Sequence, residues 1–270
     1  MRGTLLEELV IKNSQYKYRH KANRKQYTIL ECKWSDFTES EKAEIYKEAE
    51  ILYEKAKKPA ANTGIARTPE KKYIDSLSGV MAEFATTKFF NEYLSSDWKA
   101  YRPIVTSTHN QVDIALKHKN TNYKVEVRSS FVQNGIEFAL YGVNKDGEYK
   151  DKTYFDVLGT YKQEAHKTNF ESVKDLFMRV LFDIKGESSD GFKSDRQFYL
   201  DRKYFINKYI NKGEPFYIIG GMSGDAIIKQ NYTKTLSRKD LYQYTKDIKL
   251  GKYNVSEISN ISDVERFLSL

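Results

Sequence analysis

One cysteine, Cys32, stands in 270 residues. A lone thiol excludes an internal disulfide and points to a reducing compartment. Histidine is sparse as well: His20, His109, His118 and His166 show none of the short spacings that zinc ligands use, so no zinc site is expected. No apolar run approaches the ~18–20 residues that a membrane span needs. The N-terminal LLEELVI is too short and too acidic for a secretory signal. The chain is therefore expected in the cytoplasm, with no membrane partner. Repeats and low-complexity tracts are also missing. Gly220-Gly221-Met222-Ser223-Gly224-Asp225 lacks the final glycine of a nucleophile elbow and the Gly-Lys-Ser/Thr ending of a phosphate loop, and reads as a tight turn.

What the chain has is rings and positive charge. Hydrophobic residues are 40% of the total, but 21 Tyr and 15 Phe supply much of the burial a core requires. The net charge of +8 is uneven. Between positions 12 and 27 lie Lys12, Lys17, Arg19, Lys21, Arg24 and Lys25, with no acid and with Tyr16, Tyr18 and Tyr27 interleaved. Cations that follow a phosphate backbone, with rings for base stacking, form a nucleic-acid-binding composition. Ordinary solubility charge would look the same.

Thr38-Glu39-Ser40-Glu41 has the spacing of a capping box, and Ile45, Ala49, Leu52 and Ala56 continue it at helical period. Pro59, Gly64 and Pro69 then mark a loop. This divides the chain into residues 1–70, a basic arm and helix, and residues 71–270, a core, within one continuous domain or two. A second helix is expected over 73–94, with Leu77, Met81 and Phe84 inward and Glu83 off that stripe. Strand signals follow in AYRPIV, QVDIAL, YKVEVRSS, FALYGV, YFDVLGTY and FYIIG. Residues 170–182 suit either state, and 201–212 and 237–249 read as helices. The order indicates an α/β or α+β sheet domain.

The segment Lys124–Ser130, KVEVRSS, puts Lys124, Glu126, Arg128 and Ser130 on one strand face and Val125 and Val127 on the other. QVDIAL and YKVEV form a hairpin around 118–121, with a polar turn at 117–122. In the register that opposes Leu116 to Tyr123, Asp113 opposes Glu126. Two carboxylates facing across a ladder repel unless a cation intervenes. Pairing with Lys124 and Arg128 on a wetted face satisfies them, and so does a hard divalent ion such as Mg²⁺.

Glu83 in GVMAEFATTKFF, Asp113 in QVDIAL, and Glu126 with Arg128 in VEVRSS together resemble the PD-(D/E)XK nuclease superfamily, the fold of many restriction endonucleases. That pattern is a helix with a glutamate, a strand with an aspartate, then a strand reading acid-x-lysine. The resemblance covers about residues 73–160. It implies a restriction-endonuclease-like mixed central sheet flanked by helices, carrying an N-terminal helical and basic extension. Two positions depart from the pattern: Val112 replaces the proline before the aspartate, and Arg128 replaces the lysine. Arginine stabilises charge on a phosphate but cannot act as a base.

On this resemblance Asp113, Glu126 and the Val127 carbonyl bind Mg²⁺, with Glu83 as an outer partner. Arg128 faces the scissile phosphate. The activity implied is endonucleolytic hydrolysis of double-stranded DNA, of the type II restriction kind, by a homodimer. Apart from the resemblance, Lys12–Lys25 would contact backbone phosphates, and the amides of Gln133 and Asn134 would reach base edges, although Asn134-Gly135 is first of all a turn. A DNA-binding protein without catalysis and a repair or junction nuclease are the alternative readings.

Overall fold

The structure, a computed structural model, describes residues 29–55, 68–103, 112–132, 156–162, 174–183, 201–229, 233–235 and 242–247. Strand β1 is Leu30–Cys32, followed by helices α1 (Glu39–Lys55) and α2 (Pro69–Tyr93). Strands β2 (Trp98–Tyr101), β3 (Ile114–His118), β4 (Thr121–Val132), β5 (Asp156–Lys162) and β6 (Leu176–Asp183) come next. Helix α3 (Arg202–Phe205) runs on into a π-helical stretch, Ile206–Asn211. Strand β7 (Phe216–Ser223), helix α4 (Gly224–Lys229), β8 (Thr233–Thr235) and β9 (Tyr242–Asp247) complete the described elements.

Both long helices begin where side chains can satisfy their open backbone donors. At α1 the capping box is reciprocal: Glu41 N–H donates to Thr38 Oγ1 at 3.2 Å, and Thr38 N–H donates to the Glu41 carboxylate at 2.7 Å. At α2, Thr68 Oγ1 accepts from Lys71 N–H at 3.1 Å and Pro69 takes the first helical position. Helix α2 is buried along most of its length. Its inward hydroxyls close onto their own helix, as with Thr86 Oγ1 donating to the Ala82 carbonyl at 2.8 Å. Lys88 donates to the Asp36 carbonyl at 2.7 Å and so ties α2 to the turn before α1.

The main sheet has six strands in the order β1-β7-β6-β4-β3-β2. Only β4 and β6 pair in parallel; the other neighbours are antiparallel. Helices α1 and α2 join one core with Ile114, Leu116, Val125, Val127, Met178, Val180, Phe182, Phe216 and Ile218. The alternate residues Phe177, Leu181, Tyr217 and Met222 are buried as well. Strands covered on both faces lose the apolar–polar alternation, and for that reason β6 and β7 read as near-continuous apolar runs. Strands β5, β9 and β8 form a second, antiparallel sheet whose β5 contacts β6. The architecture is thus mixed α/β, with a six-stranded mixed sheet flanked by helices. Strand β1 and helix α1, in the segment expected to extend from the core, share that core.

Several expectations need correction. The hairpin turn is tighter than a six-residue loop, because pairing continues to His118↔Thr121. Lys119, at φ 52°, makes the bend. The register survives, since shortening the turn symmetrically leaves Leu116 against Tyr123. The AYRPIV strand starts earlier, at Trp98, and stops before Arg102. The ambiguous 170–182 segment contributes a strand, β6. Residues 242–247, expected within a helix, form β9 because pairing with β5 and β8 satisfies their backbone. Gly220 and Gly221 lie inside β7 rather than in a turn. A Cβ on Gly221 would strike the Phe177 carbonyl and the Met178 sulfur, so the close β6–β7 approach requires glycine there. The FALYGV segment lies outside the described residues.

Candidate active site

The site grows from the open end of the β3–β4 hairpin. Asp113 occupies a bend one residue before the first paired position, Ile114↔Val125. One further step of the register sets it against Glu126, on the face that carries Ala115 and Lys124. Its carboxylate takes over where the β3 backbone stops: Val127 N–H donates to Asp113 Oδ2 at 2.8 Å, in a buried hydrogen bond. The other oxygen, Oδ1, has no hydrogen bond among the described residues. Asp113 and Glu126 are 9% and 8% exposed, which is rare for carboxylates without compensation.

Among the described residues, two cations lie against Glu126. Arg128 Nη2 lies 3.3 Å from Oε1, and Lys174 Nζ lies 4.0 Å from Oε2. The expected neighbour Lys124 is exposed instead, and its amide donates to the Asp175 carboxylate at 2.6 Å. Glu83 comes to the same region from α2, 8% exposed. Arg102, just past β2, binds Glu83 Oε2 through Nε at 3.2 Å and Nη2 at 2.6 Å. The same Nη2 also pairs with Glu48 of α1, and the guanidinium lies 4.2 Å from the centroid of the Phe84 ring.

Glu83 interacts electrostatically with both of the other carboxylates. Burial pushes Glu83 up to about 7; Arg102 opposes the rise, and the charges of Glu48 and Glu126 add to it. Asp113 is likewise pushed up to about 7, first by burial and then by Glu83. The Val127 amide, Arg128 and Lys174 pull it back. Two acids held near neutrality in one cleft mark a functional site more often than a structural one. Beside them opens a cleft of ≈ 320 Å³ whose walls include Lys47, Glu48, Lys55, Glu83, Arg102 and Asp113. Among the described residues, no group of three or more His, Cys, Asp or Glu is arranged to hold a metal ion.

Asp113, Glu126, Arg128 and Glu83 therefore gather where β3 begins beside the middle of β4, with Val127 supplying a backbone group to Asp113. Lys12, Lys17, Arg19, Lys21, Arg24, Lys25, Gln133 and Asn134 lie outside the described residues. Sequence reasoning missed Arg102, Glu48 and Lys174. Arg102 had a faint signal as a cation at the end of a short strand; Lys174 and Glu48 had none, because their partners are distant in the chain. No helix is long and apolar enough to cross a membrane among the described residues. No family model, curated protein or solved structure matches the chain.

Proposed function

We propose that the protein is a Mg²⁺-dependent endonuclease for double-stranded DNA, of PD-(D/E)XK type and of the type II restriction kind. The observation that carries this reading is Asp113 set one residue beyond the Ile114↔Val125 pair, locked to the Val127 amide and within electrostatic reach of Glu83 on the preceding helix. The order of helix, then meander of three strands, then a parallel neighbour supports a restriction-endonuclease-like sheet.

The donor set suits the ion. Mg²⁺ uses one or two carboxylates, keeps several waters and completes its shell with substrate phosphate, so it needs no cage of three acids. Asp113 Oδ1, Glu126 and the Val127 carbonyl would hold it, with Glu83 retained by Arg102 as an outer acid. When bound, the ion supplies Lewis acidity toward a phosphate oxygen and a more acidic water. The chain's own residues do the rest. The Val127 amide fixes the Asp113 rotamer. Arg128, two residues after Glu126 on the same face, presents a permanent cation to the scissile phosphate. Because guanidinium does not deprotonate in proteins, Arg128 stabilises charge and removes no proton. The segment Lys12–Lys25 positions backbone phosphates, and Gln133 and Asn134 read base edges. Two copies of the chain act together on a palindromic site.

The test is incubation with mixed double-stranded DNA and Mg²⁺, with chelator as control. Discrete bands that vanish in Asp113→Asn and Glu126→Gln support the reading, and a smear points to a repair or junction nuclease. A second reading, DNA binding without cleavage, is favoured by the Arg128–Glu126 ion pair at 3.3 Å. It predicts a mobility shift with intact DNA.

A further inference from the structure

Glu126 is held differently on its two oxygens. Arg128 meets Oε1 with a side chain that is 21% exposed, whereas Lys174 faces Oε2 with a side chain only 2% exposed. A buried ammonium is costly unless something fixed compensates it. The backbone around Lys174 is anchored to meet that need. Asp175 N–H donates to the Lys124 carbonyl at 2.9 Å, and Lys124 N–H returns to Asp175 Oδ2 at 2.6 Å. Gly224 N–H closes on the Asp175 carbonyl at 3.0 Å. Lys174 thus enters β6 beside the start of the β4 ladder, where Val125↔Leu176 begins the parallel pairing. Its charge also reaches Asp113.

We infer that Lys174 is a positioning residue that keeps Glu126 turned toward the ion site, leaving Arg128 as the cation that meets substrate phosphate. The inference rests on the nuclease reading for its purpose and on the Glu126 geometry for its form. The difference in exposure divides the labour. A side chain sealed at 2% cannot follow DNA in and out, while one at 21% can. Without Lys174, the forked guanidinium of Arg128 can close on both Glu126 oxygens in the bidentate geometry arginine forms with carboxylates. Glu126 then leaves the ion.

The experiment uses the full chain with Mn²⁺ as probe, titrated calorimetrically in the absence of DNA, alongside single-turnover cleavage and melting. Lys174→Met keeps the length and apolar stem without the charge. It is expected to bind Mn²⁺ at least tenfold more weakly and to cut about a hundredfold more slowly, at unchanged DNA affinity in chelator. Lys174→Arg restores Mn²⁺ binding to within about threefold. Unchanged or tighter Mn²⁺ binding by Lys174→Met overturns the inference, as does a drop in melting temperature alone. Should Lys174→Met be unfolded at the assay temperature, Lys174→Gln is held to the same criteria. A parent that binds Mn²⁺ but cuts no DNA ends the nuclease reading, and the Mn²⁺ titration still decides the role of Lys174. A parent that binds no Mn²⁺ ends both.

Discussion

Replacing Asp113 by Asn should change how stability depends on pH, in a direction opposite to most carboxylates. Burial, then the charge of Glu83, pushes Asp113 from 3.8 up to about 7 in the folded chain. The folded state therefore holds this proton more tightly than the unfolded state does. Its contribution is fully present below about pH 4 and is lost as the pH rises toward 7, because the unfolded chain ionises first. Glu83, also pushed up to about 7, has the same sign. At ~1.36 kcal/mol per pH unit, the gap between 3.8 and about 7 corresponds to about 4 kcal/mol at pH 8. Asn is permanently neutral and can still accept the Val127 amide, so Asp113→Asn mimics the protonated acid at every pH. Melting followed by circular dichroism in chelator, from about pH 3.5 to 8, should show parent and variant nearly coincident at the acid end. At pH 8 the variant should melt roughly 8 °C or more above the parent, taking ~2–4 °C per kcal/mol for a chain of this class. Parallel curves across the whole range, or a variant less stable at pH 8, would refute the placement of a buried anion at Asp113.

Four further outcomes are expected. Arg128→Lys should keep measurable cleavage, while Arg128→Ala should lose about a hundred- to thousandfold in single-turnover rate, the usual worth of a preorganised cation at developing charge. Equal rates for Arg128→Ala and parent would reduce Arg128 to its ion pair with Glu126. Arg102→Ala strips the shared cation from Glu83 and Glu48 and should cost about 3–5 kcal/mol in denaturant unfolding at pH 8. Its penalty should shrink toward pH 5, where Glu83 takes a proton. Gly221→Ala should lower the denaturation midpoint markedly, since its Cβ meets the Phe177 backbone, which cannot rotate aside. Neutralising several of Lys12–Lys25 should flatten the salt dependence of DNA binding, by roughly one unit of slope for every phosphate left without its cation. An unchanged slope would make that segment a solvated face.

The parts of this fold legible in sequence are those whose cause is local. The Thr38–Glu41 capping box is a three-residue interaction and appears in the structure on both of its bonds. The hairpin register follows from strict alternation in VDIAL and KVEV, because a one-residue slip would send Val125 and Val127 out of the core. The turn length is not legible because KHKNTN is polar throughout, and polarity does not distinguish a loop from exposed strand ends. Residues 242–247 look helical in isolation because their pairing partner, β5, lies far upstream, and β preference depends on such partners. The same reason hides part of the site. Arg102 is 54 residues from Glu48 and 19 from Glu83, so no spacing within one element announces the bridge. Arg128 announces itself only through Glu126, two residues away on one face.

The parallel seam between β4 and β6 has a consequence for how the site comes into being. Antiparallel β3 and β4 can zip from the Lys119 bend, an event on the microsecond scale. That step brings Asp113 to Val127 and nothing more. The seam requires the chain to return from 51 residues downstream before Asp175 can clasp Lys124. Such long-range closure is intrinsically slow. Glu126 therefore meets Arg128 early, on its own strand, and Lys174 only when the seam shuts. If the proposed ion site is correct, ion binding should develop during refolding with the late phase rather than with the hairpin, so that a nascent chain carries its acids before they are gathered.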